Sequence, residues 1–257
     1  MAEGAAATAD SDLLIERDAG IGWLILNRPR KRNALTVGMQ ARMDAFLAAA
    51  ATDDDIKAVV LAARGEKTFS AGGDFSETSD TMPEDLYRKE RSRQMFRTCT
   101  SFMDFPKPLV VALGGLAIGS GCILTLLADA RIATEGGGFS LPEILRGRPT
   151  FAGAAVVSRM MGDAMALDLV QSGRAMMAQE GLQRGIVQAI VPPGELNDRA
   201  AEHALSLAKH GGSAFGLHKQ WVYRETKRLL REAEEASLAL ATPLVPPVKK
   251  REKKNGV

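Results

Sequence analysis

The sequence is poor in the residues that build metal centres and nucleophilic triads. Only two cysteines and three histidines occur in 257 residues. Cys99 and Cys122 form neither a CxxC pair nor a zinc spacing. Each lies in a helical run, so buried free thiols in a reducing compartment are expected. His203, His210 and His218 all fall late in the chain, which argues against a Ser-His-Asp triad or a metal site made from them. No GxxxxGK(S/T) is present, which excludes a P-loop. "GSGCIL" at 119–124 holds a GxG without the third glycine of a dinucleotide fingerprint. No GxSxG sets Ser120 on a nucleophile elbow. No metal or redox cofactor is implied.

Long apolar runs and charge of one sign are also missing. No stretch reaches the roughly 18 apolar residues of a membrane span. The opening "MAEGAAATADSD" lacks the basic region and apolar core of a signal peptide. A cytoplasmic location without a membrane partner is the expectation. The net charge is +2, so the chain carries no strong signal for nucleic acid. The one basic block, "VKKREKKNGV" at the end, reads as a solvated tail.

What is present is alternation. "LLIERDAGIGWLILNRP" predicts strand, turn and strand, with Asp18-Ala19-Gly20 as the turn. Met39, Met43, Phe46 and Leu47 recur at helical spacing behind Thr36, a suitable N-cap. "KAVVLAA" and "PKPLVVALGG" read as strands, the helix "PEDLYRKERSRQMFRTCTSFMDF" lies between them, and "SGCILTLLAD" as an apolar helix. Strand and helix in turn predict an α/β core with parallel strands. Beyond about residue 150 the pattern becomes helical. We divide the chain into an arm (1–11), a core (12–195), a helical region (196–242) and a basic tail (243–257).

Two glycine-bearing segments stand at strand ends, "AGGD" at 71–74 and "AIGSGC" at 117–122. Each is a plain turn or a source of one backbone N–H donor. Two such donors converging on a carbonyl oxygen form an oxyanion hole, and each is worth about 3–4 kcal/mol to a developing charge. The second segment also opens an apolar helix, whose N-terminus favours an anion.

Together with their neighbours these segments resemble the crotonase superfamily of enoyl-CoA hydratases and isomerases. Four stretches carry the resemblance, in family order: "LNRPRKRNAL" (26–35), "TFSAGGDF" (68–75), "PKPLVVALGGLAIGSGCILTLLADARIAT" (106–134) and "FSLPEI" (139–144). It implies a spiral of ββα units with C-terminal helices used in trimerisation, and assembly as a trimer or a dimer of trimers. It implies an acyl-CoA thioester substrate, with CoA arriving on the substrate and no separate cofactor. The matching oxyanion donors are Gly73 and Ser120. The CoA arm would lie along Lys31, Arg32 and Ala34, and along Ala71, Asp74, Phe75 and Gly119. Lys31 and Arg32 suit a nucleotide phosphate, or form a solvated loop.

Hydratases of this family use two glutamates. The position of the first is Ile123 here; that of the second is Glu143. A positioned acid-base group contributes typically about 10²–10⁴-fold, so loss of one favours a reaction that needs only one. Glu143 follows a proline and an apolar segment, where burial would raise its pKa; its plain role is a glutamate at a helix N-terminus. The expected reaction is double-bond isomerisation of an enoyl-CoA, with hydration by Glu143 alone as the alternative. A non-catalytic CoA-ester-binding subunit is the reading from another class. Glu77, Asp80 and Glu84 are candidates for a second acid. After Glu143 the family's glycine-rich pattern is replaced by "RPTFAGAAV", which leaves the acyl pocket's shape open.

Overall fold

The computed structural model of the protein describes residues 11–209 and 212–240. Most of the arm, His210 and the basic tail lie outside them. β1 (Leu13–Asp18) and β2 (Ile21–Leu26) pair antiparallel as a hairpin. α1 (Val37–Thr52) follows, and the Thr36 hydroxyl accepts from the Met39 N–H at 3.1 Å. It buries Met39, Met43, Phe46, Leu47 and Ala50 on one stripe, as an amphipathic helix does. At its far end the Lys107 ammonium donates to the carbonyls of Ala50, Asp53 and Ile56 at 2.7, 2.7 and 2.8 Å. The first two contacts satisfy acceptors at the helix C-terminus, and the third ties down the chain that follows it.

A unit of two strands and a helix then repeats. β3 (Ala58–Ala63), β4 (Thr68–Ser70) and α2 (Glu84–Asp104) form one unit. β5 (Leu109–Leu113), β6 (Leu116–Ile118) and α3 (Ser120–Leu127) form the next. β7 (Ala130–Ala133) and β8 (Gly138–Ser140) lead through a 3-10 turn, Pro142–Arg146, to α4 (Phe151–Met161). α5 (Asp163–Ser172), β9 (Ala175–Met177), α6 (Ala178–Gln183), β10 (Ala189–Ile190), α7 (Leu196–Ala208) and α8 (Gly212–Ala239) complete the described residues. The first strand of each repeat enters a six-stranded sheet ordered β1-β2-β3-β5-β7-β10. The second enters a four-stranded sheet ordered β4-β6-β8-β9. Successive repeats pair in parallel in both sheets. This is the α/β spiral of ββα units that the sequence led us to expect.

The larger sheet is buried on both faces, as parallel strands require. β3 sends Val59 and Leu61 to one apolar cluster and Ala58, Val60 and Ala62 to the other. β5 divides Leu109, Val111 and Leu113 from Val110 and Ala112 in the same way. α7 covers the second face with Leu196, Ala200 and Ala204. Alanines on both sides allow close approach of helix and sheet. α8 packs against α2 and α4. Cys99 and Cys122 are buried and free, as expected. Among the described residues no helix is long and apolar enough to cross a membrane.

Candidate active site

The two glycine-bearing segments lie against one another. Gly72 has φ +85°, and a Cβ there would stand 2.8 Å from the Ile118 carbonyl oxygen and 3.4 Å from the Ser120 nitrogen. Both the backbone conformation and the neighbouring chain therefore demand glycine. A Cβ on Gly73 would meet the Ser120 Oγ at 3.6 Å, so the two expected donors are neighbours in space.

The backbone leaves both N–H groups open. Leu35 and Gly73 form a parallel bridge. Its bonds run from the Leu35 N–H to the Gly72 carbonyl at 2.8 Å and from the Asp74 N–H to the Leu35 carbonyl at 2.9 Å. Such a bridge uses the groups that flank Gly73 and turns its own N–H away from Leu35. Ser120 is the first residue of α3, where an N–H has no intrahelical acceptor. Neither N–H has an acceptor among the described residues.

Strand pairing brings Glu143 to this point. β6 and β8 run in register, Ile118 opposite Ser140, and the Gly119 N–H donates to the Ser140 carbonyl at 2.9 Å. The chain then turns at Pro142, and Glu143 falls in the first turn of the short 3-10 helix. Its Oε1 occupies the place a side chain at residue 119 would need, 2.9 Å from the position of a Cβ there. Gly119 also has φ +55°, so glycine is required twice over. The Glu143 Oε2 is buried and has no hydrogen-bond partner. Burial pushes the Glu143 carboxyl above the ordinary carboxylate range, although its own backbone and the nearby Arg148 and Arg146 pull the other way. Its negative charge adds to the burial that raises the Cys122 thiol.

Ile123 offers no acid. It is 4% exposed and belongs to the main apolar cluster. The three carboxylates considered as substitutes are engaged or exposed. Glu77 accepts from the Val37 N–H at 3.0 Å and from Tyr87, whose phenol is pushed up to about 12 by burial and by that bond. Asp80 is exposed, and Glu84 pairs with Arg88 at the surface.

The loop at 28–34 runs beside the first glycine segment. The Ala71 N–H donates to the Arg32 carbonyl at 2.8 Å. Lys31 and Arg32 are exposed, and the Ala34 carbonyl accepts from Arg28 at 2.7 Å. The Asp74 carboxylate is occupied: it takes Arg28 at 3.0 Å and the Ser76 N–H and hydroxyl at 2.9 and 2.6 Å. Burial works against its charge, but those bonds hold it below the usual range. Phe75 is 53% exposed. The expected site residues thus fall into one region: 31–34 beside 71–74, and Gly73 beside Gly119, Ser120 and Glu143.

A family model for enoyl-CoA hydratase/isomerase matches residues 16–255. The chain belongs to the enoyl-CoA hydratase/isomerase family. It is 33% identical over 229 residues to the 2,3-dehydroadipyl-CoA hydratase of Escherichia coli, covering 89% of this chain and 85% of that one. It is 34% identical over 221 residues to a probable enoyl-CoA hydratase of Rhizobium meliloti, covering 86% and 84%. The crystal structure of a probable enoyl-CoA hydratase from Mycobacterium thermoresistibile superposes with a TM-score of 0.76 at 27% identity, over 90% of this chain and 94% of that one. The fold of this family member is accordingly the crotonase fold.

Several contacts beside these segments escaped sequence reasoning. Asn33 is fully buried, takes the Arg28 N–H at 2.8 Å and donates to the carbonyls of Arg64 and Thr68 at 2.9 and 3.3 Å. The Ser70 hydroxyl donates to the Asn33 carbonyl at 2.8 Å. These two residues fasten the 28–34 loop to the strand ends. An asparagine in "RKRNAL" reads as a turn residue, and nothing local marks it as buried. Arg91 and Arg148, whose guanidinium carbons lie 4.7 and 4.6 Å from the Phe75 ring centroid, were also missed, because 56 residues of intervening chain separate them.

Proposed function

We propose that the protein acts on an enoyl-CoA thioester through a stabilised enolate, and that its reaction is a shift of the double bond. The observation that carries this reading is the Glu143 carboxylate, held against Gly119 beside two free backbone N–H groups, with isoleucine where a second acid would stand. The thioester oxygen would accept from the Gly73 and Ser120 N–H groups. The N-terminus of α3 adds its dipole to the developing charge. Glu143 would take a proton from C2 of a 3-enoyl-CoA, forming a dienolate whose charge rests on the thioester oxygen. Return of the same proton to C4 would leave the double bond between C2 and C3. Atoms and charge balance with one carboxylate and no second acid. The raised Glu143 pKa suits both halves, because a stronger base removes the first proton and the acid it forms then returns it. The CoA arm would follow 31–34 and 71–74, with Lys31 and Arg32 open to its phosphates.

Ultraviolet absorbance decides the reaction. A 3-enoyl-CoA should gain absorbance as its double bond enters conjugation with the thioester, and Glu143→Gln should abolish the gain. A loss of absorbance with a 2-enoyl-CoA, and none of the first signal, would sink isomerisation. It would support the second reading, hydration, which the hydratase names of the relatives favour. Silence with both substrates would return a binding subunit to the front.

The same reading carries assembly as a trimer or dimer of trimers. Leu217, Trp221 and Val222 are exposed on α8 at 64%, 68% and 63%, and cover of that strip by another copy would bury them. Light scattering should give at least three times the 27.5 kDa chain mass; a monomer mass contradicts the assembly.

A further inference from the structure

Two arginines converge on the same exposed ring. The Arg91 and Arg148 guanidinium carbons lie over Phe75, 4.7 and 4.6 Å from its centroid. The two charges are therefore no further apart than the sum of those distances. Each is tied to a different half of the site. An Arg91 nitrogen donates to the Asp74 carbonyl at 3.3 Å, next to Gly73. The Arg148 N–H donates to the Glu143 carbonyl at 3.1 Å.

Neither guanidinium makes an ion pair among the described residues. The Asp74 carboxylate is paired with Arg28 and Ser76, while Glu77 accepts from Val37 and Tyr87 and acts on Arg91 only through its field. Glu143 reaches Arg148 only at longer range and presents its Oε1 to Gly119. Like charge and desolvation both lower the basicity of Arg91, with desolvation first. Arg148 is exposed and so accessible. Holding two cations together with no carboxylate in direct contact costs free energy that stacking on one ring and the fields of Glu77 and Glu143 offset only in part. An anion placed between them would repay the rest, and planar guanidinium forks suit a carboxylate.

The position selects which part of a substrate carries that anion. Arg91 is tied to the Asp74 carbonyl beside Gly73 and Arg148 to the Glu143 carbonyl, so the pair borders the groups assigned above to the acyl end, and the inference moves Phe75 to that end from the CoA arm, where the sequence led us to expect it. Resting on the acyl-CoA reading above, we propose that Arg91 and Arg148, stacked on Phe75, bind a carboxylate at the far end of the acyl chain. The favoured substrates are then dicarboxylic acyl-CoA esters rather than methyl-ended ones.

Calorimetric binding of two saturated esters of equal chain length tests this: adipoyl-CoA, which ends in a carboxylate, and hexanoyl-CoA, which ends in a methyl. Neither can react by a double-bond shift, and the CoA moiety is common to both. Adipoyl-CoA should bind about tenfold or more tightly, the scale of a charge-assisted hydrogen bond. Arg91→Gln combined with Arg148→Gln should remove that preference and leave hexanoyl-CoA affinity within about threefold, which also reports that the variant is folded. Equal binding of the two esters by the unaltered protein overturns the inference alone. So does a variant that loses both esters equally while its circular dichroism is unchanged, because the arginines would then serve the CoA phosphates. Failure of the unaltered protein to bind either ester overturns the inference together with the acyl-CoA reading.

Discussion

Replacement of Glu143 by glutamine is expected to lower enoyl-CoA turnover by about 10²–10⁴-fold and at the same time to raise thermal stability at neutral pH. Both effects have one cause. Burial raises the carboxyl pKa, and Oε2 has no partner to stabilise its charge. The folded state therefore holds the Glu143 proton more tightly than the unfolded chain does. Stability from that proton is present at low pH and is lost as pH rises through the folded pKa. Glutamine is neutral throughout and escapes the loss. Melting curves of the two proteins should coincide on the acid side and separate towards neutrality, with the variant higher. The rate of the unaltered enzyme should rise with pH along an acid limb lying above the ordinary carboxylate range, since the base must be ionised. Gly119→Ala should also lower turnover, because the new Cβ would sit 2.9 Å from Oε1 and strain a residue at φ +55°. Full activity in Glu143→Gln would show that another group is the base. A variant less stable at neutral pH would show that the carboxylate is better solvated than its surroundings indicate.

Lys219→Met is expected to cost about 3–5 kcal/mol of stability, a fall of roughly 10 °C in Tm for a chain of this size. Lys219 is 6% exposed on α8 and meets the Asp129 carboxylate at 2.8 Å. The same carboxylate oxygen accepts from the Leu109 N–H at 2.8 Å. One turn further along α8 the Tyr223 hydroxyl donates to the Leu127 carbonyl at 2.9 Å. These contacts fasten α8 to the junction of α3, β5 and β7. Burial pushes Asp129 up and Lys219 down, so each tolerates burial only beside the other. Methionine keeps the length of the side chain but strands the carboxylate. The double variant, with Asp129→Asn added, removes the stranded charge and should recover much of the loss. Chemical denaturation of the single and double variants measures the coupling. Simple addition of the two losses would show that the pair is not the fastening.

Much of this was legible along the chain. The hairpin, the Thr36 cap, the strands at β3 and β5 and the late helices follow from period-2 and period-3.6 patterns, which are local. Gly72, Gly73, Gly119 and Glu143 stood out because four short motifs came in order. The four-stranded sheet did not stand out. β4, β6 and β8 have three residues each, too few to show alternation, and exist because they pair with each other.

The sequence by itself determined the α/β class, the segments from which donors and base are drawn, and the isoleucine at position 123. All of these are properties of residue identity and short-range spacing. Only the tertiary structure decided that Gly72 is required by the Ile118 carbonyl, that Glu143 rests on Gly119, and that Asn33 is buried. It alone brought Arg91 and Arg148 to one ring. Those relations arise where segments dozens of residues apart are held together by parallel pairing and a shared core. A contact across such a distance leaves no period in the chain that makes it.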